Sequence, residues 1–206
     1  KKVPNTSERR SFAVTWDYRC PYGRIAHNHV VTGLQAGAPW DVTFLPFCLG
    51  QGHVEPGFPP IWETPERDSG LLALQVGMAA RDTDTEKFWQ FHLDTFEFRH
   101  TRAGNLNNRE ALATLLTNAG FNTDDIFAKV ESGEPLRLIA EEHMQYVRSH
   151  EVWGVPTFIQ GKAAVFVRLL KPALGNTALA IDTVNRIVDN LEWPILNEFK
   201  HTSIPM

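Results

Sequence analysis

The sequence predicts an α/β fold, on three observations. A short apolar strand, Phe12 to Trp16, leads through Arg19-Cys20-Pro21-Tyr22-Gly23 into a helical run, Arg24 to Leu34, and then into a second strand, Trp40 to Pro46. From Thr64 to His150 the pattern is helical throughout. After that come a proline-led apolar run, Val152 to Ile159, a turn at Gln160-Gly161-Lys162, a second apolar run, Ala163 to Leu170, and a final helix, Leu174 to Leu191.

Each element has a local reason. Phe12-Ala13-Val14-Thr15-Trp16 is short and rich in β-branched and aromatic residues, as a buried strand requires. Pro21 lacks an N–H and has its φ preset, so it suits a first helical turn, and Gly37-Ala38-Pro39 stops that helix. In Trp40 to Pro46, polar and apolar positions alternate, and strand, helix and strand so close together make a right-handed parallel βαβ unit. Gln51 to Ile61 is a loop dense in Gly and Pro. Five helices are then expected: one capped at Thr64-Pro65-Glu66, one at Asp84-Thr85-Glu86, one opened by Asn107-Asn108-Arg109-Glu110 and ended by Gly120, one opened by Asn122-Thr123-Asp124-Asp125, and one started by Pro135. The two runs around Gly161 read as a hairpin. The last helix carries an apolar stripe of Leu179, Ile181, Val184, Ile187 and Val188, and Trp193-Pro194 ends it.

Composition narrows the function. The 206 residues are 43% hydrophobic, enough for a sizeable core, and the net charge of −4 with no Lys/Arg cluster argues against nucleic acid or an anionic membrane as partner. No apolar run is long enough for a membrane span, and Lys1 to Arg10 is a polar, loosely attached tail without a signal-peptide core. Two cysteines are not a disulfide scaffold, so a reduced, cytoplasmic setting is expected.

Cys20 stands out as the candidate nucleophile. It lies at a strand-to-helix junction, where the helix dipole and unpaired N–H groups favour a thiolate and depress its pKa. The bland alternative is a buried structural thiol. Cys48, after the second strand, is the other thiol that might resolve Cys20, since both strand ends fall on one sheet edge; a core thiol is the simpler reading. Tyr22 and Trp153 flank the two motifs, with core packing the alternative for Trp153. The eight histidines give no metal pattern: His27 and His29 are two apart, and solvated or capping histidines are expected. There is no nucleophile elbow or phosphate loop, and Asp82-Thr83-Asp84-Thr85-Glu86 is a helix cap, not a calcium loop.

With Cys20-Pro21-Tyr22-Gly23 at the end of one strand and Gly154-Val155-Pro156-Thr157-Phe158 at the start of another, the chain resembles the thioredoxin superfamily. Within it, the chain is similar to the DsbA-like branch, which includes kappa-class glutathione transferases and 2-hydroxychromene-2-carboxylate isomerases. Leu45-Pro46-Phe47 and Leu49-Gly50 are similar to the segment after the second strand in those relatives. The tail resembles that of actinobacterial, mycothiol-dependent members. The resemblance implies a thioredoxin fold with a large all-helical insertion: a βαβ part at 11–50, the insertion at 62–150 roofing the active site, a ββα part at 151–192 and a tail at 193–206. It also implies that Pro156 is cis and faces Cys20, and that Val155 offers its backbone N–H and C=O to a peptide or to the cysteinyl part of glutathione.

Dithiol members carry a second cysteine where Gly23 stands, so turnover here must be monothiol. The favoured expectation is a thiol–disulfide oxidoreductase acting through Cys20, with glutathione or mycothiol as co-substrate and no tightly bound cofactor. One alternative is a transferase- or isomerase-like enzyme that uses the bound thiol on a small hydrophobic substrate, with Cys20 hydrogen-bonding the cofactor's sulfur. Another is a redox-inactive protein that binds a peptide or ligand. A homodimer is left open.

Overall fold

The computed structural model describes residues 9–198 and 200–201; most of the expected N-terminal tail, residues 1–8, and residues 199 and 202–206 of the expected C-terminal tail lie outside the described residues. Strand β1 (Arg10–Trp16), helix α1 (Pro21–Gln35) and strand β2 (Trp40–Pro46) form the βαβ unit. The two strands run parallel, from Arg10 beside Trp40 to Trp16 beside Pro46. Strands β3 (Thr157–Gln160) and β4 (Ala163–Phe166) form the hairpin, and β3 pairs antiparallel with the free side of β1, giving the sheet order β2-β1-β3-β4. Helix α7 (Thr177–Leu191) packs against α1.

Between β2 and β3 lie five helices: α2 (Leu71–Arg81), α3 (Thr85–Thr101), α4 (Arg109–Asn118), α5 (Thr123–Glu131) and α6 (Glu134–His150). Their starts follow local chemistry. Asp84, Asn108 and Asn122 each accept a backbone N–H from the first turn of the helix they precede, satisfying donors that no helical carbonyl reaches. The insertion is anchored to the sheet by aromatic packing: Phe88 of α3 lies 5.9 Å from Trp16 and 5.3 Å from Phe44, ring to ring.

Three boundaries differ from expectation. Thr64-Pro65-Glu66 opens only a 3-10 turn, Pro65–Arg67, because Thr64 makes no capping bond and Asp68 turns extended. The Asp68 carboxylate instead accepts Arg19 and the Gly70 N–H, and α2 begins after it. β4 ends at Phe166, short of Leu170, because the next residue opposite it is Pro156: its carbonyl accepts the Val167 N–H at 3.0 Å, but it has no N–H to return to the ladder. α7 starts after Asn176, since Leu174 and Gly175 hold φ of 49° and 80°, outside the helical region. Leu179 is 45% exposed and leaves the apolar stripe, which Val184, Ile187 and Val188 carry.

The histidines are the larger correction. His27, His29, His92 and His143 are buried, where solvated side chains were expected. His27 Nε2 lies 2.9 Å from the Thr15 carbonyl, so it must donate there; its Nδ1 then accepts from His92 Nε2 at 2.9 Å, and His92 Nδ1 accepts the Tyr18 hydroxyl at 2.9 Å. One set of neutral tautomers satisfies the whole chain, which explains how two imidazoles sit in a core of phenyl rings. Burial lowers His27 from 6.5 to about 4, and burial together with the neighbouring His27 lowers His92 well below the ordinary imidazole value.

Two predictions follow from this packing. Above pH 6.5 both the folded and the unfolded protein keep His27 neutral; below it the unfolded chain takes up a proton that the folded chain refuses until about pH 4. Stability therefore falls across that window, by about 3 kcal/mol for His27 at roughly 1.4 kcal/mol per unit. Urea midpoints should start dropping below pH 6.5, before carboxylates titrate, and a flat profile there would contradict the neutral pair. Gly33 of α1 lies under the Trp40 indole, and a Cβ built on it falls 2.2 Å from a ring carbon. Gly33→Ala gains about 1 kcal/mol of helix propensity but overpacks a ring that Asn185 also fixes by hydrogen bond. A net loss of about 1–2 kcal/mol is expected in chemical denaturation.

Candidate active site

The site begins where β1 ends. The chain turns at Asp17 to Cys20, with the Cys20 N–H donating to the Asp17 carbonyl at 3.0 Å, and Cys20 becomes the N-cap of α1. Its Sγ accepts the Gly23 N–H at 3.3 Å. On the other side the Cys20 thiol donates to the Val155 carbonyl, also at 3.3 Å. The Val155–Pro156 bond is cis. Thr15 holds the opposing loop in place: its Oγ1 accepts the Thr157 N–H at 2.8 Å and donates to the Gly154 carbonyl at 3.3 Å. Cys20, Gly23, Val155 and Pro156 are thus brought together by β1, α1 and the lead into β3.

The electrostatics differ from expectation. Cys20 is 8% exposed, and burial pushes its pKa up, outweighing the Gly23 and Tyr22 N–H groups and the Arg168 charge that pull it down. The expected depression at a helix end is therefore reversed, because removing the sulfur from water costs the anion more than two backbone dipoles return. Cys48 is fully buried in the main core, and burial together with Asp17 and Asp68 pushes its thiol up to about 11. Its N–H is held by His143 Nδ1 at 3.2 Å. Cys20 belongs to a separate apolar cluster with Phe47, Val152 and Val155, and both thiols are free.

Beneath the Cys20 turn lies an ion triad that the sequence reading missed. Arg19 donates Nε and Nη2 to the two Asp17 oxygens at 3.0 and 2.5 Å, and Nη1 to Asp68 at 2.8 Å. The backbone N–H groups of Arg19 and Leu49 complete the Asp17 shell. Asp17 and Asp68 are 1% and 4% exposed, so these charges are paired in the interior. A usable signal was present: charged residues closing an apolar strand beside a candidate nucleophile must be paired when buried.

The mouth of the site carries the remaining residues. Pro21 is exposed and Tyr22 half-buried. The Arg168 guanidinium stacks 4.4 Å from the centre of the Tyr22 ring. Trp153 is 71% exposed and leans on Phe166 at 4.4 Å, so it belongs to the outer rim and not to the core. Two clefts of about 450 and 570 Å³ lie elsewhere, along the outer edge of β2. Among the described residues no group of three or more His, Cys, Asp or Glu is placed to hold a metal ion, and no helix is long and apolar enough to cross a membrane.

No protein-family model matches the chain, and no curated protein matches it. Solved structures do. A 2-hydroxychromene-2-carboxylate isomerase is 11% identical over 91% of this chain and 100% of its own, with a TM-score of 0.60. The thiol-disulfide exchange protein alpha-DsbA2 from Wolbachia pipientis is 18% identical over 88% of this chain and 81% of its own, with a TM-score of 0.58. The cytosolic disulfide reductase DsbM from Pseudomonas aeruginosa, solved with GSH, is 16% identical over 87% of this chain and 99% of its own, also at 0.58. At these identities the likeness speaks for the fold: the chain has the α/β thioredoxin fold with the helical insertion of DsbA-like proteins.

Proposed function

We propose that this protein is a monothiol thiol–disulfide oxidoreductase that works through Cys20 with a low-molecular-weight thiol, glutathione or mycothiol, as its partner. The observation that carries this reading is the position of the Cys20 sulfur, held at the start of α1 and 3.3 Å from the Val155 carbonyl. Among the described residues nothing accepts the Val155 N–H, and the Val155 carbonyl holds only the Cys20 S–H, so Val155 retains backbone capacity for an extended cysteinyl ligand on this reading. The solved DsbM with GSH supports a small peptidic thiol as that ligand.

The chemistry balances without a second protein thiol. The Cys20 sulfur, as thiolate, attacks a disulfide RS–SR′; the new bond is Cys20–S–SR, and R′S⁻ leaves with the proton that Cys20 gave up. A small thiolate GS⁻ then attacks the mixed disulfide, forming GS–SR and returning Cys20 to its thiolate. Net, RSSR′ and GSH become GSSR and R′SH: the GSH sulfur is oxidised and R′S is reduced. Gly23, where a resolving cysteine would stand, forces this second, external step. A reducing, cytoplasmic setting suits it, since small thiols stay reduced there.

A specific observation favours a second reading. Burial keeps Cys20 protonated, and its S–H already acts as a donor to Val155. A neutral donor of that kind suits an enzyme of the transferase or isomerase type, in which Cys20 hydrogen-bonds the sulfur of a bound thiol cofactor while the cofactor acts on a small hydrophobic substrate.

Substitution separates the two. Under the exchange reading, Cys20→Ser lowers thiol-dependent disulfide exchange by about 10³-fold or more, as loss of a nucleophile does. Under the cofactor reading, Cys20→Ser keeps activity within about tenfold, because serine also donates a hydrogen bond. Equal exchange rates for the two proteins would sink the exchange reading. A separate check concerns ionisation. In the free protein, iodoacetamide labelling of Cys20 should be slow at neutral pH and still climbing above the ordinary thiol range, because its pKa is raised; Cys48 should label only on unfolding.

A further inference from the structure

The rim of the site holds a cation with nothing to pair with. Arg168 is exposed and, among the described residues, makes no salt bridge or hydrogen bond. Yet it is not loose: one face of its guanidinium lies on Tyr22 at 4.4 Å, and Phe166 is 6.0 Å from it on the same side of the hairpin. Its backbone is fixed as well, since the preceding Val167 N–H is bonded to the Pro156 carbonyl. A guanidinium held over a ring through its cationic carbon keeps its five N–H donors, and among the described residues none of them is bonded. The two arginines on either side of Cys20 each have a carboxylate: Arg19 has Asp17 and Asp68, and Arg24 has Glu97.

Resting on the exchange reading above, we infer that Arg168 is a specificity residue that recognises a carboxylate on the small thiol or disulfide bound at Cys20. A cysteinyl backbone paired with Val155 runs beside Pro156, one hydrogen bond away from Val167. A carboxylate on such a ligand meets a planar, pre-positioned fork, the geometry that arginine offers and lysine does not. The ligand class is therefore a peptidic thiol bearing carboxylates, as glutathione does, in preference to a neutral sugar thiol of mycothiol's kind. The Arg168 charge also reaches the Cys20 sulfur, where it favours the thiolate. Part of any loss on its removal will therefore be shared by all thiols, and the carboxylate-dependent part has to be read as a difference.

Two measurements on the full chain test this. In disulfide exchange, Arg168→Ala should lose more with glutathione than with cysteamine, a thiol without carboxylates, by about three- to tenfold, mainly in KM, with Arg168→Lys in between. Equal losses with both thiols would overturn the inference and leave Arg168 acting on the sulfur alone. The second measurement needs no redox turnover: calorimetric binding of S-methylglutathione should weaken by the same factor in Arg168→Ala, whether the substitution is made in the wild type or in a Cys20→Ser background. Unchanged binding in Arg168→Ala, or none by the wild type, overturns the inference. If binding depends on Arg168 while wild type and Cys20→Ser exchange disulfides equally slowly, the inference stands and the exchange reading falls.

Discussion

The Arg19 guanidinium, clamped between Asp17 and Asp68, is the constraint on which the position of the Cys20 sulfur depends. It joins three parts of the chain that are far apart in sequence. Asp17 ends β1 and also holds the Leu49 N–H after β2; Asp68 leads into α2 and holds the Gly70 N–H; the Asp68 carbonyl accepts from Asn107, ahead of α4. Cys20 is the next residue after Arg19, so the sulfur is placed by a junction of the sheet with the insertion and not by the turn alone. Such a buried triad adds little net stability over an apolar replacement, since desolvation takes back most of the attraction. What it does is fix geometry, because removing Arg19 would leave two buried carboxylates without a cation, and removing either aspartate would leave Arg19 tied to only one side of the junction.

At the sulfur itself two effects oppose each other, and magnitudes decide between them. A helix N-terminus contributes about 0.3–1 kcal/mol to a nearby anion, and up to about 2 in sheltered geometries, whereas burial can displace a pKa by up to about 3–5 units, each worth about 1.4 kcal/mol. With Cys20 8% exposed and packed among Phe47, Val152 and Val155, burial prevails in the free protein. The Val155 carbonyl acts in the same direction by accepting the S–H. The site is therefore built to hold a thiol at rest.

Much of this was legible in the sequence, and the reasons are local. The strand Trp40–Pro46 and the caps Asp84, Asn108 and Asn122 follow from alternation and from side chains that reach their own backbone, which need no knowledge of the fold. Cys20 was singled out by its strand-to-helix junction, and the cis Val155–Pro156 bond was expected through motif resemblance. What stayed hidden depends on distant partners. Asp68 spends its carboxylate on Arg19, which delays α2, and no window around Thr64 contains that fact. His27 and His92 look like surface residues until each supplies the other's hydrogen bond, 65 positions apart. The sign of the Cys20 shift depended on how deeply the insertion and the Val155 loop bury it, which periodicity cannot report.

On the exchange reading proposed above, the resting thiol and the backbone that pairs with the ligand share one atom, the Val155 oxygen, and this links occupancy to ionisation. In the free site that oxygen takes the Cys20 S–H, while the Val155 N–H has no acceptor among the described residues. A cysteinyl ligand that pairs with Val155 in strand fashion brings an N–H to the same oxygen. The S–H then competes for a carbonyl already engaged, whereas the thiolate keeps the Gly23 N–H at 3.3 Å and the Arg168 charge nearby. Binding thus removes a stabiliser of the thiol and none of the stabilisers of the anion, so the balance at the sulfur shifts toward the nucleophile when a disulfide is in place. On that reading, a sulfur that stays protonated in the empty site and ionises more readily in the occupied one loses little to stray oxidants, which suits a chain with Gly23 where a resolving cysteine would stand.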